Sequence, residues 1–111
     1  MEAATSAAPA AVPQHIRALE HANRVRLARA ALKRSVRAGE IRADQVVQDC
    51  PWEAQTMTVS ELLRSQTRWG RTRTRKFLVP LALNENRTLG RLTLRQREAL
   101  AGALREKHGE R

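Results

Sequence analysis

Arg68-Trp69-Gly70-Arg71-Thr72-Arg73-Thr74-Arg75-Lys76-Phe77-Leu78 reads as a tight turn that opens directly into a helix, and the fold follows from what flanks it. Just upstream, Thr58-Val59-Ser60-Glu61 has capping-box spacing, with Thr58 as N-cap and Glu61 at N3, so a helix starts there and ends near Gln66. Val59, Leu62 and Leu63 form its inner side. Gly70 supplies the unusual backbone angles and the close backbone approach that an inter-helix turn needs. The next helix begins around Arg71, which leaves free N–H groups and the positive end of a helix dipole at the turn, an arrangement suited to an anion. Along it Thr74, Phe77, Leu78 and Leu81 follow i, i+3, i+4, i+7, whereas Thr72, Arg75, Lys76 and Val79 face the other way. Pro80 removes one helix hydrogen bond, which predicts a kink or an end there.

Downstream, Asn84-Glu85-Asn86 is turn chemistry, and Arg87 and Arg91 project from the connection on either side of Gly90. Thr93-Leu94-Arg95-Gln96 is a second capping box, opening a final helix with Leu100, Ala103 and Leu104 inward. Arg95 and Arg97 lie in its first turn, against the helix dipole, as though a phosphate comes there. Residues 67–97 hold nine Lys or Arg and a single acid, Glu85, a balance of +8 within a whole-chain charge of +10. A charge so clustered points to a polyanion.

Before this region, Gln14 to Arg37 has no Gly or Pro and is rich in Ala, Leu and Arg, so residues 14–39 form one long basic helix closed by Gly39. Its apolar residues divide between two sides, Ile16, Leu19, Leu27 and Ala31 on one and Val25, Leu32 and Val36 on the other, which predicts a helix only half packed on the rest. Arg26, Arg29, Lys33, Arg34 and Arg37 are candidates for secondary phosphate contacts that carry little sequence information. Residues 38–66 have a net charge of −3; within them Ala43, Val46, Val47 and Cys50 share one face of a short helix stopped by Pro51. Cys50 is expected as a small core residue, and Trp52 as a cover for the core edge. Residues 1–13 contain two prolines and mostly small side chains and read as a flexible tail.

A chain of 111 residues is one domain with a modest core, and 41% hydrophobic residues suffice to fold it. Three aromatics and no Tyr argue against a reader of single strands, which stacks bases on aromatic side chains. The lone Cys50 excludes an intramolecular disulfide and a thiolate metal cluster, and fits a cytoplasmic protein. No apolar run is long enough for a membrane span. The N-terminus has Glu2 and no basic stretch, unlike a secretory signal. His15, His21 and His108 belong to no metal-spaced set with acids, and no acid, base and nucleophile converge in sequence, so neither a metal, nor a cofactor, nor enzyme activity is expected.

Val59-Ser60-Glu61-Leu62-Leu63, Trp69-Gly70-Arg71-Thr72-Arg73, Asn84-Glu85-Asn86-Arg87 and Gln96 to Leu100 resemble the actinobacterial integration host factor family of small nucleoid-associated proteins. The resemblance runs without gaps from about Thr58 to Leu100 and more loosely over the long helix. The same helix–two-turns–helix unit occurs in ribosomal protein S13 and in some DNA glycosylases. It implies an all-α fold, with a long basic N-terminal helix followed by a compact helical DNA-binding domain over 40–111 and the helix–two-turns–helix unit at 58–107. It further implies a protein of the bacterial nucleoid that binds double-stranded DNA with little sequence preference and bends it; a monomer in solution is expected. In the family the turn resembles Gly-Val-Gly-Lys, so Arg68 stands where the first Gly is expected, Trp69 takes the apolar position and Arg71 the cation. Pro80 interrupts the helix, and Thr88 and Gly90 stand where the family tends to have basic residues. The DNA-binding set expected is Arg68, Trp69, Gly70, Arg71, Thr72, Arg73, Arg75, Lys76, Arg87, Arg91 and Arg95.

Two other classes compete. A structured-RNA or ribosomal-type protein would carry a long basic C-terminal extension, whereas residues 98–111 balance three basic residues against three acids. A protein–protein adaptor in transcription or recombination would show an exposed apolar surface and binding insensitive to salt.

Overall fold

The computed structural model describes residues 13–109, and these are all-helical: α1 (Gln14–Arg37), α2 (Ala43–Asp49), α3 (Val59–Arg64), α4 (Arg71–Leu78) and α5 (Leu94–Gly109). Short 3₁₀ turns at Trp52–Ala54, Val79–Leu81 and Leu89–Arg91 fill the connections. The tail expected over residues 1–13 lies outside the described residues apart from Pro13, the N-cap of α1.

Twenty-four residues without Gly or Pro give α1 a length of about 36 Å. It ends where Gly39 takes a left-handed φ of 80°, letting the Gly39 N–H reach the Val36 carbonyl at 3.1 Å and the Glu40 N–H reach that of Ser35 at 2.9 Å. Of its two apolar sides only the one with Leu32 and Val36 is buried, and Ile16, Leu19 and Leu27 remain exposed. Every residue from 14 to 24 is exposed, so the first three turns project beyond the core. The molecule is accordingly elongated, 68 × 28 × 22 Å.

The core gathers Leu32 and Val36 of α1, Val46 and Val47 of α2, Leu62 and Leu63 of α3, Leu78 of α4 and Leu100 and Leu104 of α5, with Met57 and Leu89 from the connections. Each such side chain contributes roughly 1.5–3 kcal/mol on burial. Helix α2 packs along α5, which brings residues half a chain apart together. Cys50 caps α2 in a left-handed conformation and is half-buried against the core. Trp52 corrects expectation: it is 55% exposed, because the 3₁₀ turn directs Ala54 inward and Ala54 and Met57 fill the core edge instead.

The two capping boxes differ. Thr93 and Gln96 form the full reciprocal pair, with Thr93 N–H donating to Gln96 Oε1 at 3.0 Å and Gln96 N–H to Thr93 Oγ1 at 3.1 Å. At α3 only half of the box exists: the Glu61 N–H donates to Thr58 Oγ1 at 3.0 Å, but the Glu61 carboxylate turns away to α1. The 84–88 loop takes over the remaining donors, as the Val59 N–H reaches the Arg87 carbonyl and the Ser60 N–H that of Glu85, each at 2.9 Å. The start of α3 is therefore satisfied by protein, which leaves the start of α4 as the open helix end beside the basic turn.

Candidate nucleic-acid interface

Helices α3 and α4 are joined by residues 65–70, and the backbone strain of that turn falls on Arg68, with φ of 71°. This corrects the role expected of Gly70. Gly70 has φ of −96°, ordinary extended backbone, and a Cβ there would meet no atom within 4 Å. The glycine that does need its bareness is Gly90, where a Cβ would come within 2.9 Å of the Gln55 carbonyl oxygen that accepts the Gly90 N–H. Position 68, where the resemblance expects glycine, keeps a glycine conformation while carrying an arginine.

Gly70 is the N-cap of α4 and offers no side-chain cap, and no acid occupies the first turn. Free N–H groups, the positive dipole end and the cations Arg68 and Arg71 thus share one exposed spot. Trp69 does not face solvent: it is 9% exposed, and its ring system meets Phe77 in a T-shaped contact with centroids 5.1 Å apart and planes at 78°. The Arg73 guanidinium lies over the Trp69 ring, 4.4 Å from its centre. Trp69 therefore positions a cation rather than presenting a stacking surface. Thr72 and Lys76 are exposed on the outer side of α4, while Thr74 and Leu78 are buried and Phe77 half-buried on its inner side. The helix stops at Leu78, and Pro80 sits in the 3₁₀ turn that follows.

The other candidates fall into three groups. Arg91 and Arg95 are exposed and enter no ion pair among the described residues, and Arg87 is exposed with one donor near the Arg91 carbonyl at 3.4 Å. Arg75 is held by Glu85, its Nε lying 3.0 and 3.1 Å from the two carboxylate oxygens, so part of its charge is already matched. On α1, Arg29 and Lys33 both grip Glu61, Arg29 at 2.7 Å, whereas Arg34 and Arg37 are exposed and Arg26 bonds the Asn23 side chain. Burial alone would raise the Glu61 carboxyl, but Lys33 and Arg29 outweigh it and hold the group below its usual range.

Arg97 corrects a second expectation. It donates to the Val47 carbonyl at 2.7 Å and the Leu89 carbonyl at 2.9 Å, tying α5 to α2 and to the 89–91 turn rather than awaiting a phosphate. Arg42, Lys107 and His108, which no sequence pattern singles out, line one cavity with Arg37, Arg68 and Arg73. Only the fold brings the ends of α1 and α5 to the turn. Among the described residues, no three His, Cys, Asp or Glu side chains gather as a metal site, and no helix is long and apolar enough to cross a membrane.

No family model matches this chain, and no curated protein matches it in sequence. Its fold is similar to a solved structure of sIHF bound to an 8-base-pair palindromic DNA, with a TM-score of 0.69 and 24% identity over 77% of this chain and 98% of that one.

Proposed function

We propose that this protein binds double-stranded DNA through its phosphate backbone, with little dependence on sequence, as a non-enzymatic organiser of the bacterial nucleoid related to the integration host factors of actinobacteria. The observation that carries this reading is the open N-terminus of α4, uncapped and free of acids, with Arg68 and Arg71 exposed at it and Arg73 stacked on Trp69 behind it. In this reading residues 58–107 act as the helix–two-turns–helix unit of a domain spanning 40–111. Lys76, Arg87, Arg91 and Arg95 extend the contact, and Arg34 and Arg37 of α1 add to it. The likeness in fold to a protein solved on DNA supports the same partner. The free N–H groups and helix dipole at the turn suit phosphate oxygens, contacts that carry position rather than sequence. Bending of the duplex by a monomer is part of the proposal; the bending rests on the family resemblance.

The test is fluorescence anisotropy with a random-sequence duplex and a structured RNA hairpin across a salt series. The duplex is expected to bind tightly, with the logarithm of affinity falling by about 0.9 per phosphate contact for each decade of salt, and the hairpin more weakly. Arg71→Ala should weaken binding to all duplexes alike and make that slope shallower by about one contact. A change in sequence preference alone would sink the phosphate role, and preference for the hairpin would replace DNA with RNA as the partner. Ligation of short duplexes into circles checks bending; no gain in circles removes that part.

A further inference from the structure

Behind the α3–α4 turn lies a cavity of about 810 Å³ lined by five parts of the chain: the end of α1, the α1–α2 connection into the start of α2, the turn itself, Arg73 of α4 and the end of α5. Its basic lining residues are Arg37, Arg42, Arg68, Arg73, Lys107 and His108, and among the described residues no carboxylate lines it. In a chain with eleven acids, six basic groups around one hollow are not a solvated average. Asp44 already offsets Arg42 and Lys107 has an interaction of its own, but Arg37, Arg68 and Arg73 still share the hollow, and like charges held together repel unless something offsets them.

Several of these groups are held in place. The Thr67 hydroxyl donates to the Arg37 carbonyl at 3.0 Å and so ties the end of α1 to the turn. Asp44, 1% exposed, holds the Arg42 guanidinium, with Oδ1 3.2 Å from Nε. The Trp69 ring holds Arg73 by its face. The His108 Nε2 is itself buried and has no hydrogen-bond partner. An unsatisfied buried nitrogen costs free energy, so a small rotation of the ring that brings it to a ligand oxygen in the cavity is favoured.

We propose that this cavity is a second anion site, distinct from the helix end at Gly70–Arg71, and that it takes a phosphoryl group with several charged oxygens. The assignment rests on the DNA reading only in that Arg37, Arg68 and Arg73 belong to both. The oxygens come either from a backbone phosphate of DNA that passes over the turn or from the terminal phosphates of a free nucleotide. Arg68, on the strained turn, spans the two sites and couples them.

Calorimetry and NMR with inorganic tripolyphosphate test the site without DNA. The expected result is saturable binding of one tripolyphosphate per chain, moving the ring signals of His108 and leaving those of His15 and His21, exposed on α1, unmoved. His108→Gln and Arg37→Gln should each weaken it about tenfold, the cost of one charge-assisted hydrogen bond. Arg105→Gln, which removes a charge outside the cavity, should not change it. Arg42 is left intact because its loss would strand the buried Asp44 charge. Thermal melts confirm that the variants fold. Equal weakening in all three variants, or shifts in all three histidines, would mean diffuse charge attraction and overturn the site. If a duplex displaces bound tripolyphosphate, the natural occupant is the DNA backbone; if both bind together, it is a free phosphate compound. Failure of the duplex to bind while tripolyphosphate does would overturn the DNA reading alone.

Discussion

Arg68 holds a left-handed backbone at a position where glycine would do so with little strain. A branched or long side chain there costs about 1 kcal/mol, part of which glycine gives back through the greater freedom of its unfolded chain. Arg68→Gly is therefore expected to stabilise the fold by about 0.5 kcal/mol in urea unfolding while weakening duplex binding in the same salt series. Stability and binding should move in opposite directions. The residue scale also shows what could be read beforehand. Thr72, Arg75 and Lys76 fall on the outer side of α4, as the spacing of Thr74, Phe77 and Leu78 dictates. Gly70 and Trp69 were legible as a turn, but not which residue bears its strain, because φ is set by how α3 and α4 are anchored on either side. Arg97 could not be read at all: its acceptor on Val47 is fifty positions away.

At the scale of elements, capping and periodicity are local and were legible: the starts of α3 and α5, the end of α2 at Pro51 and the end of α4 before Pro80 lie where those residues put them. The docking of α1 was legible only in part. Which of its two apolar sides faces inward is decided by Glu61, thirty-two residues from Arg29, and by the Leu32–Val36 contacts with the core. That ion-pair cluster carries a pH dependence. The folded-state carboxyl lies below its ordinary value near 4.5, so its stabilisation is present above that pH and is lost as the pH falls through the lowered value. Side chains a quarter exposed are partly screened, so Glu61→Gln should cost about 1 kcal/mol at pH 7. The difference between the two proteins should shrink progressively as the pH falls below 4.5, measured by urea unfolding at each pH. The same variant releases Arg29 and Lys33 from their carboxylate, so it should raise duplex affinity at low salt even as α1 loosens.

For the whole molecule, what matters is that one end is packed and the other is not. The core is built from α2 to α5 and the second half of α1, whereas the first three turns of α1 extend from it with their cations unburied. This division followed from the two-sided distribution of apolar residues along α1, which left no continuous stripe long enough to bury the whole helix. Convergence of Arg42, Lys107 and His108 on the turn was not legible, because it depends on α2 lying along α5. An elongated body has a consequence for crowding on a polymer. A particle 68 Å long, laid along a duplex that rises about 3.4 Å per base pair, occludes about 20 base pairs, although a particle of its bulk without the arm would occlude roughly half that. Saturation titration of long DNA is expected to reach one chain per about 20 base pairs, and a chain lacking residues 1–24 to pack more densely. The projecting α1 would then serve as a spacer that sets how closely neighbours can sit, so that the density of the coated filament is written in the length of one helix.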